Sequence, residues 1–493
     1  MNDYSYYLNK IGEFGIVQEV NHPIVGVSGL PGVKPREIVI FENGQQGQAF
    51  TLDSSKVGVL LFSRDPIQVG LRVARTGFQL SVPVGSELLG FIIDPLGNPL
   101  LKLASFKKPA LHREIDDPPP GMSTRSRIKK SFLTGISIVD IMVPLGKGQK
   151  ELIIGDRKTG KSSLLQTTIK NQVQSGAVAI YAAIGKKKSD IKKLQEFFEN
   201  EGIFSKICIV ASGSHDSPSL IYLTPYVAMT IAEYFRDAGQ DVLVVLDDLS
   251  THAKFYREIS LLSHRFPGRD SYPGDIFYTH ARLLERAGNF IHPKTGEVSI
   301  TCLPVVETIE GDFTGYIATN LMSMTDGHIF FDSNIYYRGR RPAVNVSLSV
   351  TRVGRQAQDK VKRSINRELT AFLAMYEKMQ NLSHFGAELT EGVKHILNLG
   401  DKIYKFFGQD PGLIIPSSVQ LILTSLIWLN FLEGETDDVI YTYRQRMINM
   451  YNKNEKIKKT FDDIVYAESF NSLLANVAKK REAILSVCKT KEA

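Results

Sequence analysis

The sequence predicts a multidomain α/β protein with three parts: a small N-terminal β-barrel of the six-stranded type, a central parallel-sheet nucleotide-binding domain, and a C-terminal helical bundle. Three observations carry this expectation. Short β-type runs crowd residues 15–84, apolar strands alternate with helical patterns through the middle, and β signals fade beyond about residue 357. The expected boundaries are 1–90, 91–357 and 358–493. At 493 residues the chain is too long for one core, and about two to four domains is the ordinary outcome at this length.

The barrel expectation rests on "GIVQEV", "REIVIF", "QAFTL", "VGVLLFS" and "LRVAR", brief strands punctuated by glycine and proline. "DDPPPG", residues 116–121, reads as a stiff linker, with a basic patch "RSRIKK" behind it. The runs "ELIIG", "AVAIYAAIG", "KICIVAS", "DVLVVLDD" and "VSITCLPVVE" follow, nearly all apolar and separated by helical patterns. Strands buried on both faces between helices imply a largely parallel sheet. "INRELTAFLAMYEKMQNL" carries helix-type spacing. "VQLILTSLIWLNFL", residues 419–432, is too short and too polar to span a bilayer and reads as a buried helix. The start, "MNDYSYYLNKIGEFG", lacks the basic and apolar regions of a signal peptide. Any membrane role is therefore expected to come through a partner.

Composition is that of an ordinary soluble protein, 43% hydrophobic and 23% charged. The balance of 59 basic against 52 acidic residues gives a net charge of +7 and a pI near 9.0. Over this length that excess suits an acidic protein or nucleotide partner at least as well as nucleic acid. Three cysteines, Cys208, Cys302 and Cys488, lie far apart without metal-ligand spacing. They argue against a disulfide scaffold and a zinc site, and for a reducing compartment.

"ELIIGDRKTGKSSLLQ", residues 151–166, has the order of a phosphate loop: an apolar strand, a glycine-bounded turn, and a helix. The turn comprises Gly155, Asp156, Arg157, Lys158, Thr159, Gly160, Lys161 and Ser162. Glycines let backbone N–H groups approach a phosphate, Lys161 reaches the β/γ oxygens, and the Ser162 hydroxyl can ligate Mg²⁺. The helix N-terminus adds partial positive charge. A second apolar strand ends in Asp247, whose carboxylate can reach Mg²⁺ through its water shell, while Asp248 can cap the next helix.

"VPVGSELLGFIIDPLGNPL", "GDRKTGKSS", the long stretch "LDDLSTHAKFYREISLLSHRFPGRDSYPGDIFYTHARLLERAG", "TDGHIFF" and "RRPAVNVSLSVTRVG" together resemble the α subunit of F-type ATP synthase. The likeness runs from about residue 15 into the C-terminal helices, and residues 247–288 are its most specific part. It implies a RecA-like central domain and ATP or ADP with Mg²⁺ as cofactors. It also implies a ring of three such chains alternating with three catalytic β subunits around a central-stalk γ subunit. A peripheral stalk with its δ subunit and a proton-conducting membrane rotor complete the implied assembly. The chain would then sit peripherally at the cytoplasmic face of a bacterial inner membrane, or its organellar equivalent, with no nucleic acid partner. Fourteen residues precede the first barrel strand, fewer than such α subunits have, so hexamer formation is expected more firmly than stalk docking.

Catalytic chains of this superfamily carry a glutamate after the strand that follows the phosphate-loop helix. Here "IYAAIGKKKSD" places Lys186 there, where the family's α subunits have glutamine. An ammonium donates and cannot serve as a base. The lysines at 186–188 are also readable as a solvated charge run; either way the glutamate is missing, and the site is expected to hold nucleotide without hydrolysing it. The resemblance further implies that Arg341 and Pro342 form the adenine-side wall and that Gln409 contacts the base. Phe407 and Lys158 replace two expected glutamines. It assigns an arginine finger to Arg352, beside Thr351 in place of serine, for the neighbouring subunit's catalytic site. Ser349 and Ser323 fall on positions lining that neighbour's pocket. Such fingers are worth roughly 10³–10⁵ in rate.

Three other readings compete. A Rho-type hexameric RNA translocase should offer aromatic stacking platforms on its barrel, and the candidates Phe41, Phe50, Phe62 and Phe78 lie mostly in apolar strands. A stand-alone catalytic ATPase is opposed by Lys186. An F1-like ATPase used for another mechanical task stays open.

Overall fold

The computed structural model describes residues 3–101, 105–384, 390–432 and 437–489, and the side chain of Cys488 lies outside that description. The chain divides into two compact units, one of residues 1–126, 176–307 and 313–325, the other of 127–175, 308–312 and 326–493.

The first unit opens with a closed barrel of six strands: β1 Phe14–Asn21, β2 Ile24–Ser28, β3 Glu37–Phe41, β4 Gln46–Leu52, β5 Val57–Leu61 and β6 Arg72–Gln79. Their order is β1-β2-β5-β4-β3-β6, and β6 returns to pair with β1. Val17, Val25, Val27, Val39, Phe41, Val59 and Val73 fill the interior. The whole of β5 is buried because its outward residue Leu60 packs with Ile24 against Ile259. Phe41 and Phe62 are buried, whereas Phe78 is exposed with the Lys10 ammonium 5.2 Å from its ring centroid. Of the four candidate stacking residues, two are thus core.

The same unit holds five parallel strands in the order Gly296–Thr308, Val242–Asp247, Val178–Lys186, Ile207–Gly213 and Phe91–Ile93. Val242–Asp247 is buried along its whole length, as expected for a strand covered on both faces. Arg286, from the "LLERAG" segment, is 1% exposed. Its guanidinium donates to Glu233 Oε1 at 3.1 Å, to the Ile115 carbonyl at 2.9 Å and to Thr230 Oγ1 at 2.8 Å. Replacing Glu233 by alanine would strand that charge in a low-dielectric interior, at a cost of about 3–5 kcal/mol. The urea midpoint checks this; a loss below about 1 kcal/mol would contradict it.

Two fully buried histidines meet nearby. His252 Nδ1 lies 3.0 Å from His280 Nε2, and His252 Nε2 is 3.2 Å from the Tyr222 carbonyl. Burial holds His252 down to about 4, and burial together with His252 holds His280 well below the ordinary histidine value. The unfolded chain binds these protons near pH 6.5 and the folded chain does not, so stability falls as pH drops below about 6.5. At pH 5 His252 alone should cost about 2 kcal/mol. Thermal melts at pH 7 and 5 should show the fall, and His252→Gln should blunt it. Equal melting temperatures at the two pH values would contradict a neutral buried pair.

In the second unit, Glu151–Asp156 and Gly327–Phe331 pair in parallel, and Val350–Thr351 runs antiparallel to the latter. Helices Lys360–His384, Glu391–Phe407, Ser417–Trp428, Asp437–Lys453, Glu455–Val465, Phe470–Lys479 and Arg481–Lys489 follow. Residues 418–427 are buried throughout, which bears out the buried-helix expectation. Among the described residues no helix is long and apolar enough to cross a membrane. Barrel, central parallel sheet and C-terminal helices are the expected fold class.

Candidate functional site

The phosphate loop joins the strand Glu151–Asp156 to the helix Lys161–Gln174. Gly155 has φ +153°, and a Cβ there would stand 2.5 Å from the Phe331 carbonyl oxygen, so no side chain fits. Gly160 sits at φ +103° directly before the helix, a conformation that glycine adopts at little cost. Lys158 is also left-handed, at φ +63°. Lys161 is buried, and its ammonium donates to the carbonyls of Gly155 at 2.8 Å and Asp156 at 2.6 Å. Thr159 Oγ1 braces the turn on the Asp156 carbonyl at 2.8 Å. Arg157, Lys158 and Ser162 are exposed.

Asp156 has a different task from its neighbours. Oδ1 accepts from Thr308 Oγ1 at 2.6 Å and Gly311 N at 2.9 Å, and Oδ2 accepts from Ser333 Oγ at 2.6 Å. Burial raises its proton affinity, but these hydrogen bonds outweigh it and hold the carboxyl below the ordinary aspartate value. It fastens the loop base to the 308–312 segment and to the helix Ser333–Tyr337. No sequence signal pointed to Thr308 or Ser333.

The adenine-side candidates separate. Arg341, Pro342 and Phe407 line one cavity of about 340 Å³. Gln409 lines another, with Arg341. The Gln409 amide is already engaged: Nε2 donates to the Gly135 and Leu413 carbonyls at 2.8 and 2.5 Å, and Oε1 accepts from Ser137 N at 3.1 Å. In this arrangement Gln409 braces the backbone behind the wall; both Nε2 hydrogens are engaged, and Oε1 keeps one lone pair beyond the Ser137 bond.

In the first unit, Asp247 and Lys186 end adjacent parallel strands, with Ala183 opposite Asp247 in the register. The Lys186 ammonium is 2.7 Å from Asp247 Oδ1 and 3.0 Å from Asp248 Oδ2. Tyr181 donates to Asp247 Oδ2 at 2.6 Å. Burial works against the lysine's charge, but Asp247 and Asp248 outweigh it and hold its pKa above the ordinary lysine value. Lys187 and Lys188 are exposed, so the solvated-run reading holds for them and fails for Lys186. Asp248 also caps the helix Leu249–Leu262 by accepting from Thr251 N at 2.7 Å.

Arg352 is exposed, and its backbone N–H is tied to the Asp326 carbonyl at 2.9 Å. Among the described residues, no hydrogen bond or ion pair engages its guanidinium. The adjacent Thr351 is buried, donating to the Pro144 carbonyl at 2.8 Å and accepting from Gly354 N at 3.1 Å. Ser349 donates to the Asn345 carbonyl at 2.6 Å and accepts from Phe330 N at 3.0 Å, so it shapes the turn before the strand. Ser323, exposed on the helix Tyr316–Met324, donates to the Asn320 carbonyl at 2.6 Å.

Among the described residues no group of three or more His, Cys, Asp or Glu side chains could hold a metal ion. A magnesium ion accompanying a nucleotide would draw on the phosphates, water and single protein donors. Ser162 Oγ fits that requirement, and Asp247 keeps outer lone pairs beyond the two bonds it already accepts.

Comparison with known proteins gives concordant matches. Residues 135–351 match a family model described as "ATP synthase alpha/beta family, nucleotide-binding domain". Residues 358–480 match "ATP synthase alpha/beta chain, C terminal domain". The chain is 41% identical to "ATP synthase subunit alpha" of Aquifex aeolicus over 84% of its own length and 82% of the relative's. It is 39% identical to "ATP synthase subunit alpha 1" of Mycoplasmopsis pulmonis, over 92% and 86%. With "ATP synthase subunit alpha" of Mycoplasmopsis synoviae the identity is 38%, over 97% and 90%.

Proposed function

The chain belongs to the ATP synthase alpha/beta family, on its alpha-subunit side, and from that membership we propose that it binds Mg·ATP or Mg·ADP without hydrolysing it and lends an arginine to a neighbouring catalytic subunit. The observation that carries the first half is the pairing at Lys186. Hydrolysis needs a group that orients and deprotonates water. An ammonium 2.7 Å from Asp247 and 3.0 Å from Asp248 has no lone pair to offer.

In this reading the loop's backbone donors and Lys161 bind the phosphates, and Ser162 with Asp247, the latter through water, contact Mg²⁺. Bound Mg²⁺ would supply further neutralisation of phosphate charge. Arg341 and Pro342 wall the adenine. Gln409 supports that wall from behind and is the candidate base contact. Arg352, with Ser349 shaping its approach and Ser323 on a separate helix, serves the neighbour's site. An exposed guanidinium on an anchored backbone suits that role, because it can meet developing phosphoryl charge without refolding.

The same proposal includes the assembly: an alternating ring with a catalytic β-type subunit around a γ-type central stalk, with a peripheral stalk and δ subunit. Contact with a membrane runs through the associated rotor, on the cytoplasmic face. The division into functional parts at 1–90, 91–357 and 358–493 belongs to it as well. Purification of the tagged chain from its native cell, with the intact complex weighed by native mass spectrometry, tests the assembly. The expected result is a hexamer whose other large chain carries a glutamate after its phosphate-loop strand. A homohexamer of this chain would contradict it.

A further inference from the structure

We propose that Glu151 is a positioning residue for Arg352, acting through Gln149 and Thr351 to hold the backbone that carries the arginine. The proposal rests on the arginine-donor reading above and concerns how that arginine is aimed. All the residues involved lie in the second unit.

The register of three neighbouring strands puts Glu151, Gly327 and Thr351 in one row. Gly327 leaves the middle of that row open. A Cβ there would stand 2.7 Å from Glu151 Oε2 and 2.9 Å from Oε1, so the glutamate carboxyl takes the space of the missing side chain. Glu151 is fully buried. Its Oε2 accepts from Gln149 Nε2 at 2.6 Å, and the same nitrogen reaches Thr351 Oγ1 at 3.4 Å, the long end for a hydrogen bond. The Gln149 amide is held from its other side, where Oε1 accepts from Gly146 N at 2.8 Å. The Thr351 hydroxyl already donates to the Pro144 carbonyl and accepts from Gly354 N. Gln149 takes its remaining lone pair.

Successive side chains of an extended segment point to opposite faces. Thr351 turned into this network therefore sends Arg352 outward, where it is exposed. A slip of one residue would turn the arginine inward. The adjacent row ties down the same backbone. Arg352 N donates to the Asp326 carbonyl, Asp326 N donates to the Lys150 carbonyl at 2.8 Å, and Lys150 N donates to Asp326 Oδ2 at 2.8 Å. Burial pushes the Glu151 carboxyl well above the usual carboxylate range; the Gln149 bond and the Arg352 charge draw it down, and Asp326 adds to the rise. The group is thus a neutral acid near neutral pH. Its Oε1 has no hydrogen-bond partner among the described residues. A buried oxygen without a partner costs stability, and an apolar side chain of similar size would avoid that cost. What the acid contributes is the bond it accepts from Gln149.

The test is steady-state ATPase kinetics of the reconstituted hexamer carrying Glu151→Leu, which fills the space but accepts no hydrogen bond, or Glu151→Gln, a neutral residue of the same shape that does. Glu151→Leu should lower kcat by about tenfold with KM within about twofold, and Glu151→Gln should restore kcat to within about twofold of the unmodified complex. In an Arg352→Ala background Glu151→Leu should cost less than about twofold more, because the residue it aims is gone. If Glu151→Leu does not assemble, Thr351→Val cuts the far end of the same link and should show the same loss in kcat. Unchanged kcat in Glu151→Leu or in Thr351→Val, an equal loss in Glu151→Gln, or a full further loss in the Arg352→Ala background would overturn the proposal. Turnover of Arg352→Ala alone within about a factor of two of the unmodified complex would instead overturn the arginine-donor reading, and this inference with it.

Discussion

Replacing Arg352 by alanine in the reconstituted hexamer is expected to lower multisite turnover by roughly a hundredfold or more while leaving assembly and nucleotide binding nearly intact. The asymmetry follows from how the residue is held. Its backbone N–H is bound to Asp326, and Thr351 beside it is buried and pinned to the Pro144 carbonyl. The exposed guanidinium contributes to neither of these anchors. In the proposed function, truncation therefore removes a donor to the neighbour's transition state, and it opens no cavity in this chain. Steady-state ATPase activity measures it. Turnover within about a factor of two of the unmodified complex would remove Arg352 from the mechanism.

Lys161→Ala should have a comparably large effect on a different quantity. The lysine is buried at the start of its helix and bonds two carbonyls of its own loop, so it shapes the turn; in the proposed function it also brings positive charge to the phosphates. Its loss should weaken ATP binding to this chain by about a hundredfold or more. In the mixed hexamer, slow catalysis should persist at the partner's sites, because in the proposed assembly the partner binds its nucleotide with a phosphate loop of its own. Removing the partner's corresponding lysine should abolish turnover. Complete loss of turnover from Lys161→Ala alone, with the ring still assembled, would contradict the division of labour.

The features legible in the sequence are those written in neighbouring residues. Gly155 and Gly160 mark a turn that only glycine fits, and strand and helix lie directly beside them. The buried helix Ser417–Trp428 is marked by the density of Leu, Ile and Val within it, with only small or uncharged polar residues between them. Asp248 as a helix cap could be read from its place before a helical pattern. By contrast, the pairing of Lys186 with Asp247 depends on the parallel register of two strands far apart in sequence, and no local spacing encodes it. The same holds for Tyr181 on Asp247, for Thr308 and Ser333 on Asp156, and for Gln409 facing backbone carbonyls. The solvated-run reading of residues 186–188 failed at its first residue for that reason. One local feature went unused: the helix Tyr4–Ile11 is signalled by Asp3, which caps it, and by Gly12 at φ +74°, which ends it.

The central claim is that this chain keeps the nucleotide it binds, and single-turnover hydrolysis measures that most directly. The purified, nucleotide-stripped chain is mixed in excess with ATP and Mg²⁺, and bound nucleotide is identified over time. The expected result is ATP recovered intact, since the Lys186 ammonium offers no lone pair to activate water and, in the proposed function, the stabilising arginine comes from another chain. Hydrolysis at about one per second by this chain alone would contradict the account.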